Sequence, residues 1–191
     1  MDYFVPQLYW AIDPPAQSFP VLLNWWAEQN PKGRHLLAGM DSTKVPRAWK
    51  ATEIIRQIQL TRKQPGVAGH VHWNMRSLLR NPDFRTNLIK EVYLQRTVPP
   101  ALTWLDQTPP GKPLFKLSGS GLRLKASWKA SGEDKVRFWV LQMRRSGQWH
   151  TEVIDGGASS LALPNQAPEV AALIAIDQFG NASPAAVLQR D

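Results

Sequence analysis

The chain has 191 residues, of which 43% are hydrophobic and 20% charged, a balance that fits a globular protein and excludes wholesale disorder. Its net charge is +8 and it contains no cysteine, so disulfides, thiolate metal sites and a cysteine nucleophile are excluded. There is no run of eighteen apolar residues, so no membrane span is expected. Met1-Asp2-Tyr3 leads straight into an apolar segment without the basic region or cleavage site of a signal peptide.

Residues 4–12 form the first expected strand, apolar enough for a sheet covered on both faces. Asp13-Pro14-Pro15 ends it. Ser18 and Pro20 then suit a helix start, and Leu22, Trp25 and Trp26 share one face of a helix over 21–29. A second strand is expected over 35–40, ended by Asp41. A second helix follows on the spacing of Ala51, Ile54, Ile55 and Ile58. The third strand covers 67–73 and ends at Asn74. The third helix starts at Asn81, with Pro82 in its first position and Asp83 in its first turn. Phe84, Leu88 and Val92 make its buried stripe, with Ile89 and Tyr93 beside them.

Strands that alternate with helices of this length argue for a parallel sheet with right-handed crossovers. Ligand-binding groups in such folds gather at the carboxyl ends of the strands. After Pro99-Pro100 the apolar period changes to two. Strands are expected over 101–105, 121–128, 136–144, 149–154, 160–163, 169–177 and 185–189, with turn signals between them, among them Pro164-Asn165. Short strands with a turn every ten residues or so fit an immunoglobulin-like sandwich. The expected fold is therefore α/β plus all-β, divided into residues 1–98 and 99–191.

Several residues at the expected strand ends suit sugar chemistry. Hydrolysis of a glycoside needs two carboxyl groups flanking the bond, about 5 Å apart for retention and further apart for inversion. Asp13 and Asp41 are the strand-end carboxylates and the candidates for catalysis; Asp is also a common turn residue and helix cap. Gln7 and Tyr9 share a strand face and can hydrogen-bond hydroxyls. Trp10 and Trp73, among nine tryptophans, are the stacking candidates. His70, His72 and Asn74 alternate onto one face, expected to line the mouth of a barrel with His72 and Asn74 nearest the rim. The substrate-binding set is thus Gln7, Tyr9, Trp10, Asp13, Asp41, His72, Trp73 and Asn74.

A zinc site needs a third ligand beside His70 and His72, and the remaining histidines are only His35 and His150, so no metal is expected. The chain has no dinucleotide fingerprint, phosphate loop or Gly-x-Ser-x-Gly elbow, and no cofactor is expected. Up to Val98 there are 13 Lys and Arg against 7 Asp and Glu, and beyond it 10 against 8. These charges are dispersed along the sequence, which argues against a nucleic-acid partner.

Val5-Pro6-Gln7-Leu8-Tyr9-Trp10, the Trp25-Trp26 pair, the Leu-Ala-Gly strand end before Asp41 and Gly69 resemble the last three βα units of bacterial glycosyl-hydrolase-like lipoproteins. These are similar to family 10 glycosidases and include the divisome-associated peptidoglycan glycosidase. Asp177-Gln178-Phe179-Gly180-Asn181-Ala182-Ser183 resembles the last hairpin of fibronectin type III modules attached to glycosidases.

The resemblance implies the end of a (β/α)8 barrel followed by a fibronectin-like sandwich, and hydrolysis of envelope glycan, peptidoglycan strands above all. It implies a native location in the periplasm or at the outer membrane, with envelope or divisome proteins as further partners. Three βα units cannot close a barrel, which takes about 250 residues. The expectation is a fragment that lacks the main catalytic carboxylate and is inactive alone. The alternative is a non-enzymatic envelope binding or scaffold module. A partial barrel also exposes sheet edges, which leaves dimerisation or rearrangement into a small open sheet as further possibilities.

Overall fold

The computed structural model describes residues 1–13, 17–133, 135–163 and 167–189. The turn signals at Pro14-Pro15 and Pro164-Asn165 lie outside them. The chain divides into two compact units, Met1–Leu94 and Gln95–Asp191.

In the first unit, strands β1 (Tyr3–Phe4), β2 (His35–Asp41) and β3 (Val67–Trp73) form a parallel sheet in the order β1-β2-β3. The helices are α1 (Phe19–Glu28), α2 (Ala51–Lys63), α3 (Met75–Arg80) and α4 (Pro82–Glu91). The first strand is much shorter than the pattern predicts. Proline has no amide to give to a ladder, and Pro6 interrupts the run. Pairing resumes beyond it: Gly39 N donates to Pro6 O at 2.9 Å and Leu8 N to Gly39 O at 2.8 Å. This close approach requires a glycine, since a Cβ on Gly39 would lie 2.8 Å from Pro6 O.

One face of the sheet is packed under helices. Leu8, Ala38 and Met40 meet Phe19 and Leu23 of α1, Ile54, Ile55 and Ile58 of α2, and Phe84 and Leu88 of α4. Each large side chain buried this way contributes about 1.5–3 kcal/mol. Val92 completes the α4 stripe, but Ile89 and Tyr93 do not join it; Ile89 is 53% exposed and Tyr93 37%. The cap at Asn81 forms, its side chain accepting from Phe84 N at 3.0 Å. Ser18 precedes α1 without a side-chain cap bond. Helix α3 is an addition to the predicted elements. Asn74 caps it through a reciprocal bond pattern with Ser77.

The second unit has strands β4 (Leu114–Ser118), β5 (Lys125–Lys129), β6 (Val136–Arg145), β7 (Gln148–Asp155), β8 (Ser160–Ala162), β9 (Val170–Asp177) and β10 (Ala186–Gln189). One sheet runs β4-β5-β8 and the other β10-β9-β6-β7. Ala126 and Trp128 from the first, with Leu124 just before β5, meet Trp139, Leu141, Met143, Ala171 and Leu173 from the second in one buried core, giving a fibronectin type III-like sandwich. The indole N–H groups of Trp128 and Trp139 donate to Ala158 O and Gly156 O at 2.9 and 3.0 Å, so these two tryptophans are structural.

The predicted strand over 101–105 is instead a turn, in which Leu102 N donates to Phe179 O at 2.7 Å and Leu105 N to Leu102 O at 2.8 Å. The first strand lies further on, at β4. Residues 121–123 form a 3₁₀ turn that opens at Gly121 with φ +54° rather than starting a strand.

The Asp177–Ser183 signature is a turn lock. Asp177 Oδ1 accepts from Phe179 N and Asn181 N, both at 2.8 Å. Asn181 Nδ2 donates to Asp177 Oδ2 at 2.9 Å and to Asp106 Oδ2 at 2.8 Å. Ser183 Oγ accepts from Ala175 N at 2.9 Å. This motif fixes the last hairpin and leaves its acidic oxygens occupied.

Candidate functional site

The helix-free face of the parallel sheet carries the candidate site. Leu8 is buried on the helix side, so Gln7 and Tyr9 fall on the opposite side by the alternation of an extended chain. Gln7 is exposed and bridges Gly39. Asp41 and Trp73 are register partners at the carboxyl ends of β2 and β3, and they follow Gly39 and Val71 on the same face. Trp73 is 56% exposed and Val71 42%. The structure thus brings Gln7, Tyr9, Asp41 and Trp73 onto one surface: an amide, a phenol, a carboxylate and an indole.

Asp41 begins the turn Ser42–Lys44. Its Oδ1 accepts from Thr43 N at 3.1 Å and from the Thr43 hydroxyl. Its Oδ2 lies 4.0 Å from Lys44 Nζ. Lys44 Nζ also donates to Tyr9 O at 2.6 Å and sits 4.5 Å over the Trp49 ring. Lys44 therefore ties the chain beyond β1 to the end of β2. Burial pushes the Tyr9 hydroxyl pKa up, and the Asp41 charge adds to it, so Tyr9 stays protonated and able to donate.

Asp13, the other carboxylate candidate, is exposed and lies 3.9 Å from Arg56 of α2. Exposed pairs of this kind contribute little. Trp10 is 38% exposed, and its carbonyl accepts from Gln57 Nε2 at 3.1 Å. Gln57 is fully buried and also donates to Glu53 Oε1 at 3.0 Å, while Glu53 Oε1 accepts from Ile12 N at 2.9 Å. These bonds fix the backbone from Trp10 to Ile12 against α2. Asn74 is half-buried, and its side-chain oxygen serves as the α3 cap, accepting from Ser77 N at 3.3 Å.

His72 lies elsewhere than the barrel-mouth placement expected from the sequence. It is the register partner of Met40, which is fully buried under the helices, so His70 and His72 point to the helix side. His72 Nδ1 shares a hydrogen bond with Ser42 Oγ at 2.7 Å, and its Nε2 with the Tyr93 hydroxyl at 2.7 Å. The same hydroxyl bonds His70 Nε2. A phenol has one proton, so it donates to one imidazole and accepts from the other, which requires both rings neutral or one charged. Burial pushes the His70 pKa down to about 4, with the charges of His72 and Arg62 adding to it, and burial also lowers His72. Burial pushes Tyr93 up to about 12, against an opposing effect of Arg62. The cluster is thus neutral and anchors the end of α4 to β3.

Sequence reasoning missed Ser42, Lys44 and Tyr93. Lys44, three residues beyond the strand-end Asp41, was in reach of it; Tyr93, twenty-one residues from its partner His72, carried no local signal. Among the described residues no group of three His, Cys, Asp or Glu converges as metal ligands, and no helix is long and apolar enough to cross a membrane.

The chain is similar to the glycosyl hydrolase YngK of Bacillus subtilis (strain 168), with 33% identity over 120 residues. The match covers 59% of this chain and 24% of the relative, so the chain spans about a quarter of the length of the curated relative it matches. No protein-family model matches. Similar solved structures include the spore cortex lytic enzyme SleM of Clostridium perfringens, with TM-score 0.35 and 12% identity, covering 90% of this chain and 76% of that one. A fibronectin type III domain of human collagen XX aligns with TM-score 0.32 and 22% identity, covering 50% of this chain and all of that domain.

Proposed function

We propose that the first unit supplies part of the sugar-binding rim of a glycan-cleaving barrel enzyme whose other strands lie outside this chain. The reading extends to a family 10-like barrel in an envelope lipoprotein that acts on peptidoglycan strands, in the periplasm or anchored to the outer membrane. Envelope or divisome proteins are its further partners. The observation that carries it is the strip Gln7, Tyr9, Asp41 and Trp73 on the helix-free sheet face, at the strand ends where parallel α/β folds bind their ligands. The similarity to a glycosyl hydrolase supports glycan as the ligand class.

In this reading Trp73 stacks on the apolar face of a sugar ring. Gln7 and the protonated Tyr9 hydroxyl bind sugar hydroxyls. Asp41 is the available carboxylate, held by Thr43 and Lys44; a second carboxyl group for hydrolysis comes from outside the strip, so the chain alone binds without cleaving. The sandwich is a structural or substrate-assisting module.

The experiment is a titration of the chain with purified peptidoglycan glycan strands, followed by tryptophan fluorescence. Saturable quenching whose midpoint Trp73→Ala shifts to about tenfold higher glycan concentration is the expected result. Absence of any binding would remove the rim assignment.

A further inference from the structure

The rim continues into an open cavity of about 470 Å³ between the loop after β2 and the segment after β3. Thr43, two residues beyond Asp41, and Asn74, next to Trp73, both line it, so it adjoins the sugar strip. Arg47, Arg76 and Arg80 line it as well. All three are exposed, and none has a carboxylate partner among the described residues. Between Ser42 and Pro82 the sequence holds eight Lys and Arg against one acid, Glu53, whose carboxylate is already bonded to Ile12 N and Gln57. Three guanidinium groups without carboxylate partners around one open cavity favour an oxyanion there. The guanidinium fork matches the two oxygens of a carboxylate or a phosphate.

We propose that the cavity lined by Arg47, Arg76 and Arg80 is a subsite for an anionic substituent, a carboxylate or a phosphate ester, on the glycan that lies along Trp73 and Asp41. The inference rests on the rim reading above and narrows its substrate to an acidic glycan. The three arginines come from separate places in the sequence, residue 47 before α2 and residues 76 and 80 on α3. Arg76 and Arg80 are one helical turn apart, and folding adds Arg47 to the same cavity.

The test measures equilibrium binding of the 191-residue chain at low ionic strength to three probes. They are peptide-free peptidoglycan strands with free lactyl carboxylates, the same strands with those carboxyls reduced to alcohols, and inorganic phosphate. The unaltered chain is expected to bind the acidic strands about tenfold more tightly than the reduced ones, with the difference shrinking as salt is added. The R47A/R76A/R80A variant is expected to lose that difference and to bind reduced strands as before. R47K/R76K/R80K, which keeps the charge without the fork, should fall between the two.

Equal affinity of the unaltered chain for acidic and reduced strands would overturn the anion subsite and leave the glycan reading standing. Phosphate binding that the triple alanine variant loses, with neither strand bound, would keep the anion cavity and overturn the glycan. Phosphate bound more tightly than the acidic strands would identify a phosphate ester as the substituent. Acidic-strand affinity unchanged in the triple alanine variant, with near-UV circular dichroism also unchanged, would overturn the assignment of the arginines.

Discussion

Asp41 and Trp73 are neighbours across the parallel β2–β3 register, so a carboxylate and an indole leave the sheet side by side at its carboxyl end. The pairing depends on the register shift between Leu36 and Leu37, which moves every later partner on β3 by one residue. It places a charge and a stacking surface within one sugar's reach of each other.

Trp73 should matter for ligand and little for folding. Its side chain is 56% exposed, so its removal leaves no cavity. Trp73→Ala should shift the melting temperature by no more than a degree or two and weaken glycan binding by about tenfold, on the scale of about 1 kcal/mol or more for an aromatic contact. Thermal melts and a binding titration on the same sample check both halves.

Asp41 combines a turn cap with a site charge, and two substitutions separate them. Asp41→Ala removes the acceptor for Thr43 N and should cost about 1 kcal/mol of stability. Asp41→Asn keeps an acceptor and should retain most of that stability. It should also lower the Tyr9 pKa, since the Asp41 charge helps to hold it up. Chemical denaturation and the ultraviolet titration of the tyrosines distinguish the variants.

Acid should weaken the first unit through the histidine–tyrosine cluster. His70 has a folded pKa near 4 against an ordinary value of 6.5, so between these values the unfolded chain binds more protons than the folded one. Stability from this group is complete above about pH 6.5 and is lost as pH falls toward 4. His72 shifts in the same direction. His70→Gln should flatten the dependence of stability on pH in that window, measured by denaturation at pH 4, 5, 6 and 7. An unchanged slope would show that the cluster does not titrate as described.

Gly180 should tolerate no side chain. Its φ is +88°, and an added Cβ would lie 2.8 Å from Ala101 Cα. Gly180→Ala should destabilise the sandwich by about 1–3 kcal/mol or more, because a left-handed conformation and a backbone clash act together. A denaturation curve on the variant measures it directly.

Much of this architecture was legible because the signals are local. The Asn81-Pro82-Asp83 start of α4 and the Phe84, Leu88, Val92 stripe need only their own helix. The misreadings occur where a distant partner decides. Residues 101–105 alternate like a strand, but Leu102 is taken up by Phe179, seventy-seven positions away. Strand β4 shows a period-two pattern in Phe115 and Leu117 that the nearby prolines masked. His72 and Trp73 are adjacent in sequence and opposite in orientation. Which of them faces the helices was settled by the register with β2, a fact no single strand contains. The cap role of Asn74 was not legible, because its partner, Ser77, belongs to a helix of only six residues.

The most direct test of the central claim is incubation of this chain with purified peptidoglycan glycan strands, with binding and product release followed in the same sample. The account predicts saturable binding that Trp73→Ala weakens about tenfold, with no release of shortened strands. Cleavage by the chain alone, or the absence of any binding, would contradict it.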